Sequence, residues 1–344
     1  MFAHELLYLS QSDVIRCGGM SMRAVMADLA HVLALHAAGD YVLPPKVVLR
    51  WGDLDSEGER GRINGMPGYV GGSVNIAGMK WVGSAPHNPA KYGLPRASAL
   101  IVLNDPETML PLAVMDGTVI SAMRTGGVTG VAARYLARPD ATLAGIIGAG
   151  TQNRTQLMAL KTALPQLATV RVYDLSAERA AAFAEAVSAQ LALDVIPVTS
   201  GEEAVRGADV VVTATTAKRP VVEAPWFGAG CFYAHVGGFE AEYEVVERAD
   251  QIVVDHWEGI KHRGAQTLAL MHREGRFSDD QIDAELGEIV TGDKCGRTDE
   301  EAFIYFNAVG MALDDLVVAK RVYDCAKTRG VGTSVRLWEE PAFV

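Results

Sequence analysis

Residues 143–153 read Leu143-Ala144-Gly145-Ile146-Ile147-Gly148-Ala149-Gly150-Thr151-Gln152-Asn153, and the fold turns on this stretch. The apolar run Thr142–Ile147 has no polar alternation, as expected of a strand buried on both faces. It runs straight into a glycine turn. Gly148 permits the tight turn, and Gly150 lets the backbone approach a pyrophosphate. A helix over 153–163 follows, and its free N-terminal N–H groups favour an anion. Asn153 stands where a third glycine would complete G-x-G-x-x-G. The next strand, Thr169–Tyr173, ends on Asp174, 26 residues past Gly148, where an acid can grip ribose hydroxyls. An acid there repels a 2′-phosphate and favours NAD(H) over NADP(H), although Ser176 and Arg179 stand close by.

Downstream the grammar repeats. Helices over 177–191 and 202–206 alternate with strands over 194–198, 210–214, 231–236 and 251–254. Such alternation predicts a parallel, doubly wound α/β sheet. Upstream, a strand over 6–9 precedes a helix with Ser21 as N-cap and Val25, Met26, Leu29, Val32 and Leu33 at helical spacing. Short β-rich runs follow over 46–50, 70–76, 79–82, 99–103 and 111–114, punctuated by Gly and Pro as in an antiparallel sheet. A helix over 121–136 leads into the doubly wound unit. The tail predicts one long helix over 303–329, either continuous or broken near Gly310, and a last strand over 334–338. The expected organisation is a doubly wound domain over 121–304, inserted into an α+β domain made from 1–120 and 305–344.

The 344 residues carry 31 Lys+Arg against 42 Asp+Glu, a net charge of −11 that argues against nucleic acid as a partner. At 49% hydrophobic residues the chain holds ample core material, so it is not a disordered chain. Cys17, Cys231, Cys295 and Cys325 lie far apart, which argues against a disulfide framework or zinc site and suits a reducing cytoplasm. His256, His262 and His272 lack metal-ligand spacing, so no metal is assigned. Early acids (Glu5, Asp13, Asp28) do not suit a signal peptide, and no run of about 18 apolar residues suggests a membrane span. The expected location is the cytoplasm.

One window departs from this acidity. From Arg60 to Asn104 there is no Asp or Glu, where about five or six would be expected from the overall composition. The window keeps Arg60, Arg62, Lys80, His87, Lys91 and Arg96, which predicts a protected anion site. Lys80 stands inside the apolar strand Met79-Lys80-Trp81-Val82, a costly place for a lysine without a task. Arg124 follows in Ser121-Ala122-Met123-Arg124-Thr125-Gly126-Gly127. His235 ends a predicted strand at the carboxyl edge, where ligands bind, or it is a satisfied core histidine. Asp314 and Asp315 read as a solvated or capping pair.

Several segments together resemble the ornithine cyclodeaminase/μ-crystallin family. They are Pro44-Pro45-Lys46-Val47-Val48-Leu49, Arg62 before Met66-Pro67, Gly78-Met79-Lys80-Trp81-Val82, Gly93-Leu94-Pro95, Pro111-Leu112-Ala113-Val114-Met115-Asp116, Arg124-Thr125-Gly126, Gly148-Ala149-Gly150-Thr151-Gln152 and Gly287-Glu288-Ile289-Val290. The chain looks most like the archaeal-type alanine dehydrogenase and imino acid reductase branch. The resemblance implies a homodimer with NAD as cofactor, in which 121–304 is a Rossmann domain and 1–120 with 305–344 is the substrate-binding and dimerisation domain. It implies that Arg62, Lys80 and Arg124 hold a substrate α-carboxylate and that Thr151, Gln152 and Asp174 contact the dinucleotide.

The expected catalytic residues are Lys80 and Arg62, and the expected substrate-binding set is Lys46, Arg62, Lys80, Arg96, Arg124 and Asn307. The expected cofactor set is Arg124, Thr125, Gly148, Gly150, Thr151, Gln152, Asp174, Thr213, Thr215, Val236 and Gly237. Two departures from the family matter. Phe239 follows Gly237-Gly238 where cyclodeaminases carry a catalytic Asp, and Arg96 follows Gly93-Leu94-Pro95 where a small residue is usual. Arg96 either meets a second substrate carboxylate, as in an iminosuccinate- or aspartate-like acid, or pairs with Asp105, Glu107 or a cofactor phosphate. The expected activity is NAD(H)-dependent interconversion of an α-imino or α-keto acid with a small α-amino acid. The alternatives are a cyclodeaminase that recycles NAD and a μ-crystallin-like binding protein.

Overall fold

The computed structural model describes residues 3–52 and 59–343, with residues 59 and 60 by backbone alone. The side chain of Arg60 therefore lies outside the described residues. The chain divides into two units, Met1–Arg124 with Met311–Val344, and Thr125–Gly310. In chain order the first strands are β1 (His4–Leu9), β2 (Tyr41–Val42), β3 (Val47–Gly52), β4 (Glu59–Val70), β5 (Ile76–Ser84), β6 (Ala97–Asn104) and β7 (Pro111–Asp116). Then come β8 (Leu143–Ile147), β9 (Thr169–Tyr173), β10 (Asp194–Pro197), β11 (Val210–Thr213), β12 (Phe232–His235), β13 (Gln251–Val254), β14 (Ala284–Glu285), β15 (Ile304–Asn307) and β16 (Thr333–Trp338).

The first unit is a sheet in the order β16-β1-β7-β6-β5-β4-β2, with β3 also paired to β4. Its pairs are antiparallel except β1 with β7. The run 70–76, expected as a strand, is instead the turn from β4 to β5, with Gly72 at φ +54° and Asn75 at φ +39°. The strand itself is β4, hidden in sequence by Gly65, Pro67 and Gly68. Pro67 is tolerated because it faces the gap between the last β3 partner, Gly65, and the first β2 partner, Tyr69, so its missing N–H breaks no ladder bond there.

Helix Ala312–Arg329 packs on β4, β5 and β6 and against helix Met22–Ala37. Paired Gly68 and Gly78 make room for it. A Cβ on Gly68 would sit 3.2 Å from Leu313, and one on Gly78 2.8 Å from Leu316 and 2.3 Å from the Val102 carbonyl. This close approach places the first turns of the helix over the face that carries Lys80.

The second unit is a wholly parallel sheet in the order β10-β9-β8-β11-β12-β15-β13-β14. Chain direction across the sheet reverses between β8 and β11, the place where α/β folds bind ligands. The fold is thus a Rossmann α/β domain with a second, mixed domain. The tail corrects one expectation. Residues 303–329 are not one helix: Ile304–Asn307 is fully buried β15, inserted between β12 and β13, and the helix starts at Ala312. Aromatic and β-branched residues favour the strand, and Gly310 at φ +71° separates it from the helix. Gly126 has a packing role here, since a Cβ there would lie 2.4 Å from the Thr155 carbonyl. Helix Thr118–Leu136 crosses helix Thr151–Ala163 backbone to backbone at that point.

Among the described residues no helix is long and apolar enough to cross a membrane, and no group of His, Cys, Asp and Glu is placed to hold a metal.

Candidate active site

The second unit builds a dinucleotide cradle from the β8 turn. Gly148 has φ +98°, a conformation costly for any side chain. A Cβ on Gly150 would meet nothing within 4 Å, so backbone and open space stand where a pyrophosphate would lie. Gly150 caps helix Thr151–Ala163 without a side-chain bond, which leaves the first amides of the helix to an anion. Asn153, in place of the third glycine, is fully buried and donates to the carbonyls of Ile147 (2.8 Å) and Gly148 (2.6 Å). It therefore stitches strand to turn. Asp174 Oδ2 accepts the Ala149 amide at 2.8 Å, and Oδ1 accepts the Ser176 amide at 3.0 Å. Arg179 stands 3.2 Å from the same carboxylate. These residues fit NAD: a bare turn, an uncapped helix end and a fixed acid.

Asp174→Ala is expected to narrow the NADH-over-NADPH ratio of kcat/KM by about 10- to 100-fold, the worth of a hydrogen bond to a charged group. An unchanged ratio would remove Asp174 from cofactor choice.

Other expected cofactor positions take different places. Thr151 is exposed and Gln152 half-buried at the helix start. Thr125 is half-buried, and its carbonyl accepts from Gln156 at 3.3 Å. The Thr215 methyl would be 3.2 Å from a Cβ on Gly148, so its loop abuts the turn. Thr213 corrects the reading. It is fully buried, and its hydroxyl bonds Tyr233 and Glu240, both at 2.8 Å, so that side chain serves the interior. Val236 and Gly237 follow β12, and the Gly237 amide donates to Glu240 at 2.7 Å. His235 is the satisfied core histidine: Nε2 lies 2.6 Å from the Gly238 carbonyl and Nδ1 2.5 Å from the Tyr305 hydroxyl. Burial lowers its pKa. Asn307, expected near substrate, is fully buried and ties β15 to β12 through the His235 carbonyl at 2.9 Å.

The first unit carries the cations. Lys80 is 1% exposed, and Nζ lies 2.6 Å from Asp315 Oδ2 and 3.2 Å from Ser121 Oγ. Arg124 Nε is 3.2 Å from Asp315 Oδ1, and NH1 is 3.6 Å from Asp314 Oδ2. Asp314 Oδ2 also accepts the Met311 amide at 2.8 Å and so caps the helix. Asp314 and Asp315 are both fully buried, which overturns their reading as a solvated pair. The acids absent from the 60–104 window arrive from the far end of the chain, and the four formal charges cancel. Arg124 thus braces carboxylates of its own protein. A sequence signal existed: two acids inside apolar Ala312-Leu313-Asp314-Asp315-Leu316-Val317-Val318-Ala319 are as anomalous as Lys80 in its strand. Burial first, then the Arg124 charge, pulls the Lys80 ammonium down to about 8, against the upward pull of Asp315.

Arg62 and Lys80 project from one sheet face, with their backbones well apart. Arg62 pairs with Ser84 and Lys80 with Met66, four ladder steps apart, roughly 13 Å. Arg62 instead shares a cavity of about 230 Å³ with Arg96, lined also by Trp51, Ser84, Asn88 and Ser98. Lys46 is half-buried just before β3. Asp105, a suggested partner for Arg96, binds its own turn at Glu107 N (3.0 Å) and Thr108 N (2.8 Å).

A Rossmann cradle together with a buried lysine and a cavity of paired arginines defines a class: NAD-dependent oxidoreductases of amino and imino acids. The chain belongs to the ornithine cyclodeaminase/mu-crystallin family, whose model matches residues 8–330. It is 36% identical over 335 residues to N-((2S)-2-amino-2-carboxyethyl)-L-glutamate dehydrogenase of Staphylococcus aureus, covering 97% of this chain and 99% of the relative. It resembles the structure of Thermococcus litoralis Δ1-pyrroline-2-carboxylate reductase in complex with NADH and L-proline. That match has 37% identity and a TM-score of 0.88, over 96% of this chain and 100% of that one. An archaeal alanine dehydrogenase dimer with bound NAD matches at 35% identity and a TM-score of 0.88, over 97% of this chain and 100% of that one. The two solved structures hold NADH or NAD, and all three relatives are named as dehydrogenases or reductases.

Proposed function

We propose that the chain reduces an α-imino acid bearing a second carboxylate to its α-amino acid. The observation that carries the reading is the cavity shared by Arg62 and Arg96. Each guanidinium matches a carboxylate as a two-pronged donor. Arg62 takes the α-carboxylate and Arg96 the distal one. When bound, NADH supplies the hydride for the imine carbon. Lys80, held by Asp315, supplies the proton for the nitrogen, and a lysine at about 8 is matched to that work near neutral pH. The name of the Staphylococcus aureus relative describes a substrate with several carboxylates, which agrees with a cavity of two arginines. Ring closure with ammonia loss is disfavoured. Phe239 holds the position of the required acid, and the neighbouring Glu240 is fully buried with its carboxylate turned inward.

The test compares NADH consumption with oxaloacetate plus ammonia against pyruvate plus ammonia, in wild type and Arg96→Met. The dicarboxylic acid is expected to win. Arg96→Met is expected to weaken it selectively by about 10- to 100-fold, the worth of one charged hydrogen-bonded pair. Preference for pyruvate in the wild type would overturn the second-carboxylate reading.

The working form proposed is a homodimer through the outer sheet face. Val47, Gly65, Trp81 and Leu100 form one row across β3, β4, β5 and β6 on the side opposite Lys80. Val47 is 69% exposed, Trp81 47% and Leu100 46%, an apolar row that fits a second copy of itself. Sedimentation should show a dimer that Trp81→Asp dissociates. A monomeric wild type would contradict this.

A further inference from the structure

We infer that Glu240 is a positioning residue for the cofactor, a buried clamp that holds two loops of the cradle in their binding form. The side chain is fully buried and accepts from three donors, one on a strand end and one on each of two loops. At the end of β11 stands the Thr213 hydroxyl at 2.8 Å, and just past it the Thr215 amide at 2.5 Å. Past β12 it is the Gly237 amide at 2.7 Å. Both loops leave the carboxyl ends of β11, next to β8, and of β12, one strand further, on the sheet edge where dinucleotides bind in such folds. The Thr215 loop in turn abuts Gly148. A Cβ on Gly237 would fall 2.3 Å from the Glu240 carboxyl carbon, so glycine there is the space the clamp requires. His235 Nε2, 3.5 Å from Oε2, is the ring atom that meets the Gly238 carbonyl, which leaves Glu240 to the loops.

A carboxylate suits this task because every lone pair accepts and all three partners donate. An amide would turn an NH₂ toward at least one N–H. The loops would still fold over the sheet but would lose their common register, so cofactor affinity should suffer and chemistry should not.

The clamp rests on NAD as cofactor and not on the identity of the substrate. The experiment titrates NADH by fluorescence into wild type, Glu240→Gln and Gly237→Ala, the last displacing the carboxyl without removing it. Amide exchange of the cofactor-free proteins and steady-state kinetics accompany it. Both variants are expected to raise the NADH Kd tenfold or more and to raise the KM for NADH in parallel. The kcat at saturating NADH should stay within about threefold, and amide protection should fall at Thr215 and Gly237. Wild-type NADH affinity in folded Glu240→Gln would overturn the proposal, as would a lost kcat with unchanged KM for NADH. If Glu240→Gln does not fold, Thr213→Val, which removes one donor only, carries the same expectations at smaller size, and wild-type affinity there would likewise overturn it.

Discussion

Lys80→Met should lower kcat by about 10³-fold, within the range of a lost general acid, and leave the NADH Kd unchanged. The first half follows from geometry. Lys80 is a buried cation of the first unit, oriented by Asp315 and Ser121. The second half follows from chain organisation, because the cradle at Gly148 and Asp174 belongs to the other unit. The pH dependence has a definite sign. Reduction needs the protonated lysine, so its rate should fall as pH rises through about 8. Oxidation of the amino acid needs the neutral amine, so its rate should rise through the same pH. Steady-state profiles in both directions check this. A Lys80→Met enzyme with ordinary turnover, or profiles flat across that pH, would make the lysine structural.

Asp315→Ala should cost about 3–5 kcal/mol of stability, as expected when one partner of a buried ion pair is removed. It strips Lys80 of its 2.6 Å partner and Arg124 of its 3.2 Å partner in a site closed to water. Thermal unfolding should show a lower Tm. The loss should shrink at alkaline pH, because proton binding differs between the folded and unfolded chain. In the folded wild type Lys80 titrates near 8, below its ordinary 10.5, so the unfolded chain binds more protons between those values. Stability from this group therefore rises with pH across that window. Without Asp315 the folded pKa drops further, the window widens downward, and the buried lysine escapes its charge sooner. A variant with wild-type Tm at pH 7 would show that the pair contributes nothing net.

Asp314 and Asp315 also show where reading the sequence fell short. Lys80 was legible because one charge in a short apolar strand is anomalous against its immediate neighbours. The same anomaly in 312–319 reads locally as a solvated or capping pair, and Asp314 does cap the helix. Nothing local says that this helix lies on β5. That contact depends on Gly68 and Gly78 letting Leu313 and Leu316 down onto the sheet, across more than two hundred residues of chain.

The sequence by itself determined the elements whose cause is local. The β8 run, the Gly148 turn, the following helix and Asp174 form one continuous segment, each part dictated by near neighbours. The strands over 169–173 and 251–254 and the helix over 177–191 were legible in the same way. Tertiary structure decided what depends on partners far away in the chain. Residues 304–307 became a strand because a place between β12 and β13 satisfies their backbone. Thr213 turned inward because Tyr233 and Glu240 meet it there. Arg62 shares a cavity with Arg96 because pairing register, which no single strand encodes, sets it opposite Ser84. Lys80, from the acid-free window, joined a neutral ion cluster because its carboxylates came from the last helix. Hydrogen bonds and turns act over a few residues and leave their mark in the local sequence. Burial and charge pairing act through space, and only the folded chain says which residues share it.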